Sequence, residues 1–85
     1  MKHAGPDSLE ALRGLLTDVR KLPRLVEKKT GIFYSKGKAF LHFHEDREGL
    51  FADLRANGSE FTRFPVNSSV EKATFLHALR EAASP

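Results

Sequence analysis

The segment Gly31–Asp46 has the sequence GIFYSKGKAFLHFHED, and it decides the fold class of the chain. β-Branched and aromatic residues lie on both sides of the dipeptide Lys36-Gly37, a pattern that is typical of two strands joined by a tight turn. We therefore predict a strand over 30–35, a two-residue turn, and a second strand over 38–44. The two strands form the first β-hairpin of the chain.

The register of this hairpin determines which side chains share a face. A two-residue turn pairs Phe33 with Phe40, and side chains alternate along each strand. One face then carries a mainly apolar set, namely Ile32, Tyr34, Ala39, Leu41 and Phe43. The other face carries Phe33, Phe40, His42 and His44. We expect the apolar face to pack against a core, and a one-residue slip would exchange the two faces.

A second hairpin is predicted between Leu50 and Pro65. Its turn is Asn57-Gly58, the strongest short hairpin signal in the chain, and Pro65 ends the strand or marks a sheet edge. This register places Leu50, Ala52, Leu54 and Phe61 on the core side. The opposite face then carries Phe51, Asp53 and Phe64.

A helix is predicted before the hairpins. The sequence Asp7–Glu10 fits a capping box, and apolar residues recur every three or four positions as far as Leu22. Pro23 ends this helix, and residues 25–29 form either a further helical turn or the approach to the first strand. Residues 1–6 are predicted to be a flexible leader.

A second helix follows the hairpins, because Ser68 and Glu71 form another capping box ahead of an apolar stripe. Two amphipathic helices and two hairpins predict one α+β domain over residues 1–85. We expect a four-stranded antiparallel sheet, with the N-terminal and the C-terminal helix packed on one face and the other face open.

Composition restricts the class of protein. The chain has 85 residues and no cysteine, which excludes disulfides and thiolate metal sites and favours a cytoplasmic protein. No apolar run is long enough to span a bilayer, so no membrane association is predicted. The charges are unevenly distributed along the chain. The segment from Arg20 to Lys38 contains seven basic residues and one acidic residue, a local charge of +6. The segment from Glu45 to Glu60 contains five acidic and two basic residues, a local charge of −3.

The open sheet face is the main functional candidate. Exposed aromatic side chains on a small domain usually mark a partner or ligand surface. We predict a non-enzymatic module that uses this face for binding or for self-association. In the second case the protein would form a homodimer through the sheet. The predicted binding residues are Phe33, Phe40, His42, His44, Phe51, Asp53 and Phe64.

His42 and His44 are also candidate metal ligands. Alternate residues of a strand point to the same side, and Glu45, Asp46 or Asp53 could complete a site with nitrogen and oxygen ligands. The alternative function is therefore a small metal- or histidine-dependent enzyme centred on these two histidines. The sequence contains no recognisable nucleophile motif, phosphate loop or cofactor motif, so a catalytic role is the less favoured interpretation.

Nucleic-acid binding is a further alternative. The candidate residues are Lys28, Lys29, Lys36 and Lys38, with bases stacked on Phe33 or Phe40. The segment KGKAFLHF resembles the RNP1 motif of RNA-recognition domains. Lys38 stands where that family has a stacking aromatic residue, and the predicted order of elements also differs from that family.

A second resemblance covers more of the chain. It consists of the pattern G-x-F-x-x-x-G-K-A-F-L-H-F-H-E-D, then L-F-A-D-L-R, then a capped helix that reaches Arg80. This pattern is similar to small uncharacterised bacterial α+β proteins, in particular the domain family labelled luciferase-like. The resemblance implies that His42 and His44 lie on the family's histidine-bearing strand. It assigns no catalytic residue and no cofactor.

Overall fold

The computed structural model describes residues 2–56 and 60–83, which form an α+β structure with one antiparallel sheet. The sheet order is β2-β3-β4-β5-β6, and the short strand β1 pairs with β4 beside this path. The fold class is confirmed, although the sheet has six strands rather than the four predicted. In chain order the elements are β1 (Lys2–His3), α1 (Pro6–Ala11), α2 (Arg13–Arg20), β2 (Val26–Lys29), β3 (Ile32–Ser35), β4 (Lys38–Asp46), β5 (Gly49–Leu54), β6 (Thr62–Pro65) and α3 (Ser69–Ala82).

The two additional strands come from segments outside the predicted hairpins. β2 occupies the part of the chain for which the sequence left two alternatives. β1 occupies the predicted flexible leader, and that prediction is wrong for residues 2–6. His3 lies opposite His44, and the Ala4 N–H donates to the Phe43 carbonyl at 3.0 Å. These pairings hold the N-terminal segment on the sheet.

α1 begins earlier than predicted and is capped from another element. Its N-cap is Gly5 and its first residue is Pro6, a residue that helices favour at this position. The Gly5 N–H donates to Glu45 Oε1 at 2.5 Å, and no side chain caps the helix from within the sequence Asp7–Glu10. A carboxylate of β4 thus supplies the acceptor that the local sequence was expected to provide.

The first hairpin has the predicted turn but not the full predicted register. Lys36 and Gly37 both have positive φ, 54° and 80°, as a type I′ turn requires. Tyr34 pairs with Ala39 as predicted, but the register then shifts and Phe33 lies opposite Leu41. Strand β4 therefore contains one additional residue at this point, a β-bulge.

The bulge moves two aromatic residues from the predicted open face into the core. Phe33 shares a face with its partner Leu41, and Phe40 is the unpaired residue of the bulge. Only 1% of Phe33 and 8% of Phe40 is exposed. Their predicted position on the open sheet face is therefore wrong, because burial of these rings overrides the regular register of the turn.

The second hairpin is also shifted by one residue. The predicted turn at Asn57-Gly58 lies outside the described residues. Ala52 lies opposite Phe64, which faces α3 with its ring centroid 5.8 Å from that of Phe75. The predicted open-face position of Phe64 is wrong, and so is the predicted core position of Phe61, which is 37% exposed.

One hydrophobic core joins the sheet to α2 and α3, as the two-layer prediction requires. Leu50, Ala52 and Leu54 all contribute, and the Ser68–Glu71 capping box is present at the start of α3. In the described part of the chain, no helix has the length and apolar character needed to cross a membrane. The buried apolar residues are Leu12, Leu15, Leu16, Val19, Phe33, Phe40, Leu41, Phe43, Ala52, Leu54, Val66, Phe75 and Leu79.

Candidate metal centre

Three imidazole rings meet on the sheet face that lies away from the main core. His3 comes from β1, and His42 and His44 come from β4. The His44 ring centroid lies 4.7 Å from each of the other two centroids, and those two are 5.6 Å apart. One nitrogen from each residue can be chosen so that all three lie within 4.8 Å of one another. We refer to these residues as the histidine cluster.

Strand geometry explains this convergence. His42 and His44 point to the same side because they alternate along β4. His3 lies directly opposite His44 in the antiparallel pair of β1 and β4, so its side chain emerges on that side as well. Strand β3 pairs with β4 only as far as His42, and β1 continues along the same edge.

Asp53 supports the cluster from the neighbouring strand β5. Its Oδ2 lies 2.9 Å from His44 Nδ1, and Arg63 donates to its two oxygens at 2.8 and 2.9 Å. The hydrogen bond from Arg63 keeps the pKa of Asp53 below its usual value, so the carboxylate is ionised at neutral pH. A carboxylate behind an imidazole is the arrangement that orients metal-binding histidines.

Two of the imidazoles are in the form that binds metals. Burial lowers the pKa of His42, and the neighbouring His44 lowers it further. Burial also lowers the pKa of His44 against the opposing effect of Asp53. Both rings are therefore predominantly neutral at neutral pH, and a neutral imidazole has the free electron pair that a metal ion requires.

The hydrogen bonding of the cluster is incomplete. Among the described residues, the buried Nδ1 atom of His42 has no hydrogen-bond partner, whereas His44 Nδ1 lies against Asp53 Oδ2. A buried polar atom normally has a partner, so the Nδ1 atom of His42 is open to a further ligand.

The spacing of the donors suits a tetrahedral ion. Zinc–nitrogen bonds of about 2.0–2.1 Å place tetrahedral ligand atoms about 3.3 Å apart. The three nitrogens lie within 4.8 Å of one another. Side-chain rotations that move these nitrogens by about 1 Å would bring them to the tetrahedral spacing of about 3.3 Å. Three imidazoles favour zinc, copper or nickel ions over magnesium or calcium, which prefer oxygen ligands.

The acidic residues proposed as further ligands have other roles. Glu45 accepts from Gly5, and Asp46 accepts from the Glu48 N–H at 2.7 Å. Asp53 lies behind His44. The third imidazole of the cluster is instead that of His3, which was not predicted because residues 1–6 were expected to be a flexible leader.

The remaining part of the predicted surface is small. Phe51 is half-buried opposite His44, on the face that carries Asp53. The exposed Phe61 adds a ring 4.7 Å from that of His42, and the guanidinium of Arg55 lies 4.5 Å from the centre of the Phe61 ring. This sheet face therefore carries a group of histidines rather than the four phenylalanines that were predicted.

Two of the four lysines predicted to bind nucleic acid, Lys36 and Lys38, line one cavity, and Lys28 lies over the Tyr34 ring at 4.3 Å. Stacking of bases on Phe33 is wrong as a mechanism because this ring is buried in the core.

Comparison with known proteins found no matching family model, no similar curated protein and no similar solved structure. The resemblance to the luciferase-like family therefore stays a prediction. The same holds for the homodimer and for nucleic-acid binding.

Proposed function

We propose that this protein is a small metal-binding module that takes one divalent transition-metal ion through His3, His42 and His44. The observation that supports this function best is the convergence of three imidazoles from two strands about 40 residues apart in sequence. Asp53 would orient His44, and the burial of His42 and His44 favours their neutral form. Zinc is the ion that we choose for the test, since it commonly binds three imidazoles.

A binding role is favoured over catalysis. A substrate normally needs a concave pocket, and two cavities in the described part of the chain, of about 600 and 440 Å³, are lined by no histidine. The cluster lies on the sheet surface, with His3 exposed and 12% of the His44 side chain accessible. An ion can reach this position without the opening of a pocket.

The proposal is tested by titrating the metal-free protein with zinc chloride in a calorimeter near neutral pH. We expect one zinc ion per chain, and we expect His42→Ala to weaken binding by at least about tenfold through the loss of one ligand. His3→Ala should have a comparable effect even though this residue is 39 positions away in the sequence.

The fourth histidine of the chain provides the matched control. His77 lies on the exposed surface of α3, where it contacts Glu81 and is not part of the cluster. His77→Ala should bind zinc with the affinity of the parent protein. An equal loss of affinity in the His77 and His3 variants, or the absence of zinc binding in the parent protein, would overturn the proposal.

A further inference from the structure

A cavity of about 600 Å³ lies at the turn end of the first hairpin and shares no residue with the histidine cluster. It is a half-open cleft bordered by the β3–β4 turn, the ends of β5 and α3, and the segment between α2 and β2. Its size is within the range of small-molecule sites. The lining residues are Arg24, Ser35, Lys36, Lys38, Ala39, Phe40, Arg55, Ala56, Ala82 and Ala83.

The described residues that line this cavity carry positive charge only. Four of the ten are lysine or arginine, and none is aspartate or glutamate. Across residues 2–56 and 60–83, no carboxylate forms an ion pair with Arg24, Lys36 or Lys38. Cations that line one cavity attract an anion between them, and solvent weakens this attraction because Arg24, Lys36 and Lys38 are exposed.

The fourth cation has an incomplete set of contacts. The guanidinium of Arg55 lies over the Phe61 ring, and its Nε atom is buried without a hydrogen-bond partner among the described residues. The backbone N–H of Arg55 donates to the Phe40 carbonyl at 2.8 Å, which fixes the residue at the cavity wall.

The remaining lining residues form an apolar floor. Phe40 is 8% exposed, and the small side chains of four alanines leave space above it. An apolar or aromatic group of a ligand would bury surface on this floor. A charged group of the same ligand would contact the cations at the rim. The hydroxyl of Ser35 adds a hydrogen-bond donor at the same rim.

We propose that this cavity binds a small organic phosphomonoester, with the phosphate among the basic side chains and an apolar or aromatic part on Phe40. A dianionic phosphate matches several cations better than a single carboxylate does, since its three terminal oxygens accept from lysine and arginine together. The cavity shares no lining residue with the histidine cluster.

The probe for this site is phenyl phosphate, followed by NMR of the backbone amides at low ionic strength. We expect shifts concentrated at Ala39, Phe40 and Ala56, and affinity at least about tenfold higher than for inorganic phosphate or for benzyl alcohol. Those two compounds carry only one half of the proposed ligand each. Equal affinity for phenyl phosphate and inorganic phosphate would overturn the apolar part of the proposal.

The variant Arg24→Glu/Lys38→Glu tests the charged rim at two exposed positions. We expect it to weaken phenyl phosphate binding by about tenfold, the combined effect of two reversed charges. The matched control is Lys29→Glu/Arg47→Glu, which changes the net charge equally but lies outside the cavity. Its affinity should stay within about twofold of the parent protein.

The single variant Arg24→Gln gives a milder version of the same test and should weaken binding by about threefold. Equal losses in the cavity and control double variants would overturn the proposal, because they would indicate general charge attraction. A single-stranded oligonucleotide that bound more tightly than phenyl phosphate at the same residues would also overturn it, in favour of nucleic-acid binding.

Discussion

Asp53 links the histidine cluster to the surface, because it contacts His44 on one side and Arg63 on the other. The sequence alone placed Asp53 on the face of His42 and His44, and that placement is correct. Its pairing with Arg63 was not predictable, since the register that brings the two residues opposite each other differs by one from the register of the expected turn.

Asp53→Asn should therefore have two effects. The loss of the charged partner should destabilise the fold by about 1 kcal/mol, at the low end for a charged hydrogen bond because Arg63 is about half exposed. Zinc affinity should fall by about 10- to 100-fold, as is usual when the group behind a metal-bound histidine is removed. Urea denaturation and zinc calorimetry measure the two effects separately. Unchanged zinc affinity in a folded variant would contradict the orienting role.

The stability of this fold should depend on pH through the ionisation of Glu27. Arg20 donates to both of its oxygens at 2.7 and 2.9 Å, and the Gly31 N–H donates at 3.0 Å. The hydrogen bonds from Arg20 lower the pKa of Glu27 from the ordinary value of 4.5. Because the folded pKa is the lower one, the stabilisation is present above 4.5 and is lost as the pH falls through the folded pKa.

Glu27→Gln should accordingly unfold more easily than the parent protein near neutral pH, by about 1 kcal/mol, since Arg20 is partly exposed. The difference should shrink as the pH falls from about 7 to about 3, because protonation of Glu27 removes the charge on which it depends. Urea midpoints of both proteins at the two pH values measure this change. A difference that stayed constant with pH would show that the ionised carboxylate is not its cause.

At the scale of single elements, the turn of the first hairpin followed from the sequence but the bulge did not. A turn depends on the conformational freedom of two residues, and Lys36-Gly37 has the positive φ values that were expected. The bulge depends on the core, because it allows the adjacent residues Phe40 and Leu41 to be buried together. Local alternation cannot encode that requirement, and this is why two of the predicted surface aromatics lie in the core.

Three glycines in different elements give a matched series of Gly→Ala variants. At position 14 in α2, alanine should stabilise the fold by about 1 kcal/mol, since it meets no atom within 4 Å and favours a helix. At Gly37, where φ is 80°, it should destabilise by about 1 kcal/mol through backbone strain alone. At Gly31, with the same φ, the cost should be larger because the added Cβ would lie 2.8 Å from Leu9 Cδ2. Urea denaturation gives the three values, and equal costs at Gly31 and Gly37 would contradict the contact with Leu9.

At the scale of the whole molecule, the candidate site combines residues that the sequence keeps far apart. The pair His42 and His44 was predictable, because it depends only on alternation within one strand. His3 was not, because its position depends on a long-range pairing of two residues of β1 with the far end of β4. The short strand β1 contains no apolar pattern that would identify it, and its sequence Lys-His has no preference for a strand.

This arrangement implies that a bound metal ion would fasten β1 to the sheet. The Ala4 N–H, which donates to the Phe43 carbonyl at 3.0 Å, is the amide that reports opening of this segment. Terminal segments open easily. An ion that binds only the closed form should reduce the population of the open form about 100-fold when the free ion concentration is about 100 times its Kd. Zinc should therefore slow hydrogen exchange at Ala4 by up to that factor. The Lys21 N–H at the end of α2 should be unaffected, since its local opening involves no histidine.

The variant His3→Ala separates this effect from general stabilisation by zinc. This variant lacks the one ligand that β1 would contribute. Any zinc still held by His42 and His44 would then lie on β4 alone. The amide hydrogen of Ala4 should therefore exchange at the same rate with and without zinc. Hydrogen exchange followed by NMR at a fixed zinc concentration measures both proteins under the same conditions. Slowing at Ala4 that persisted in the His3 variant would mean that the ion does not hold β1 through this residue, and the three-histidine site would then be wrong.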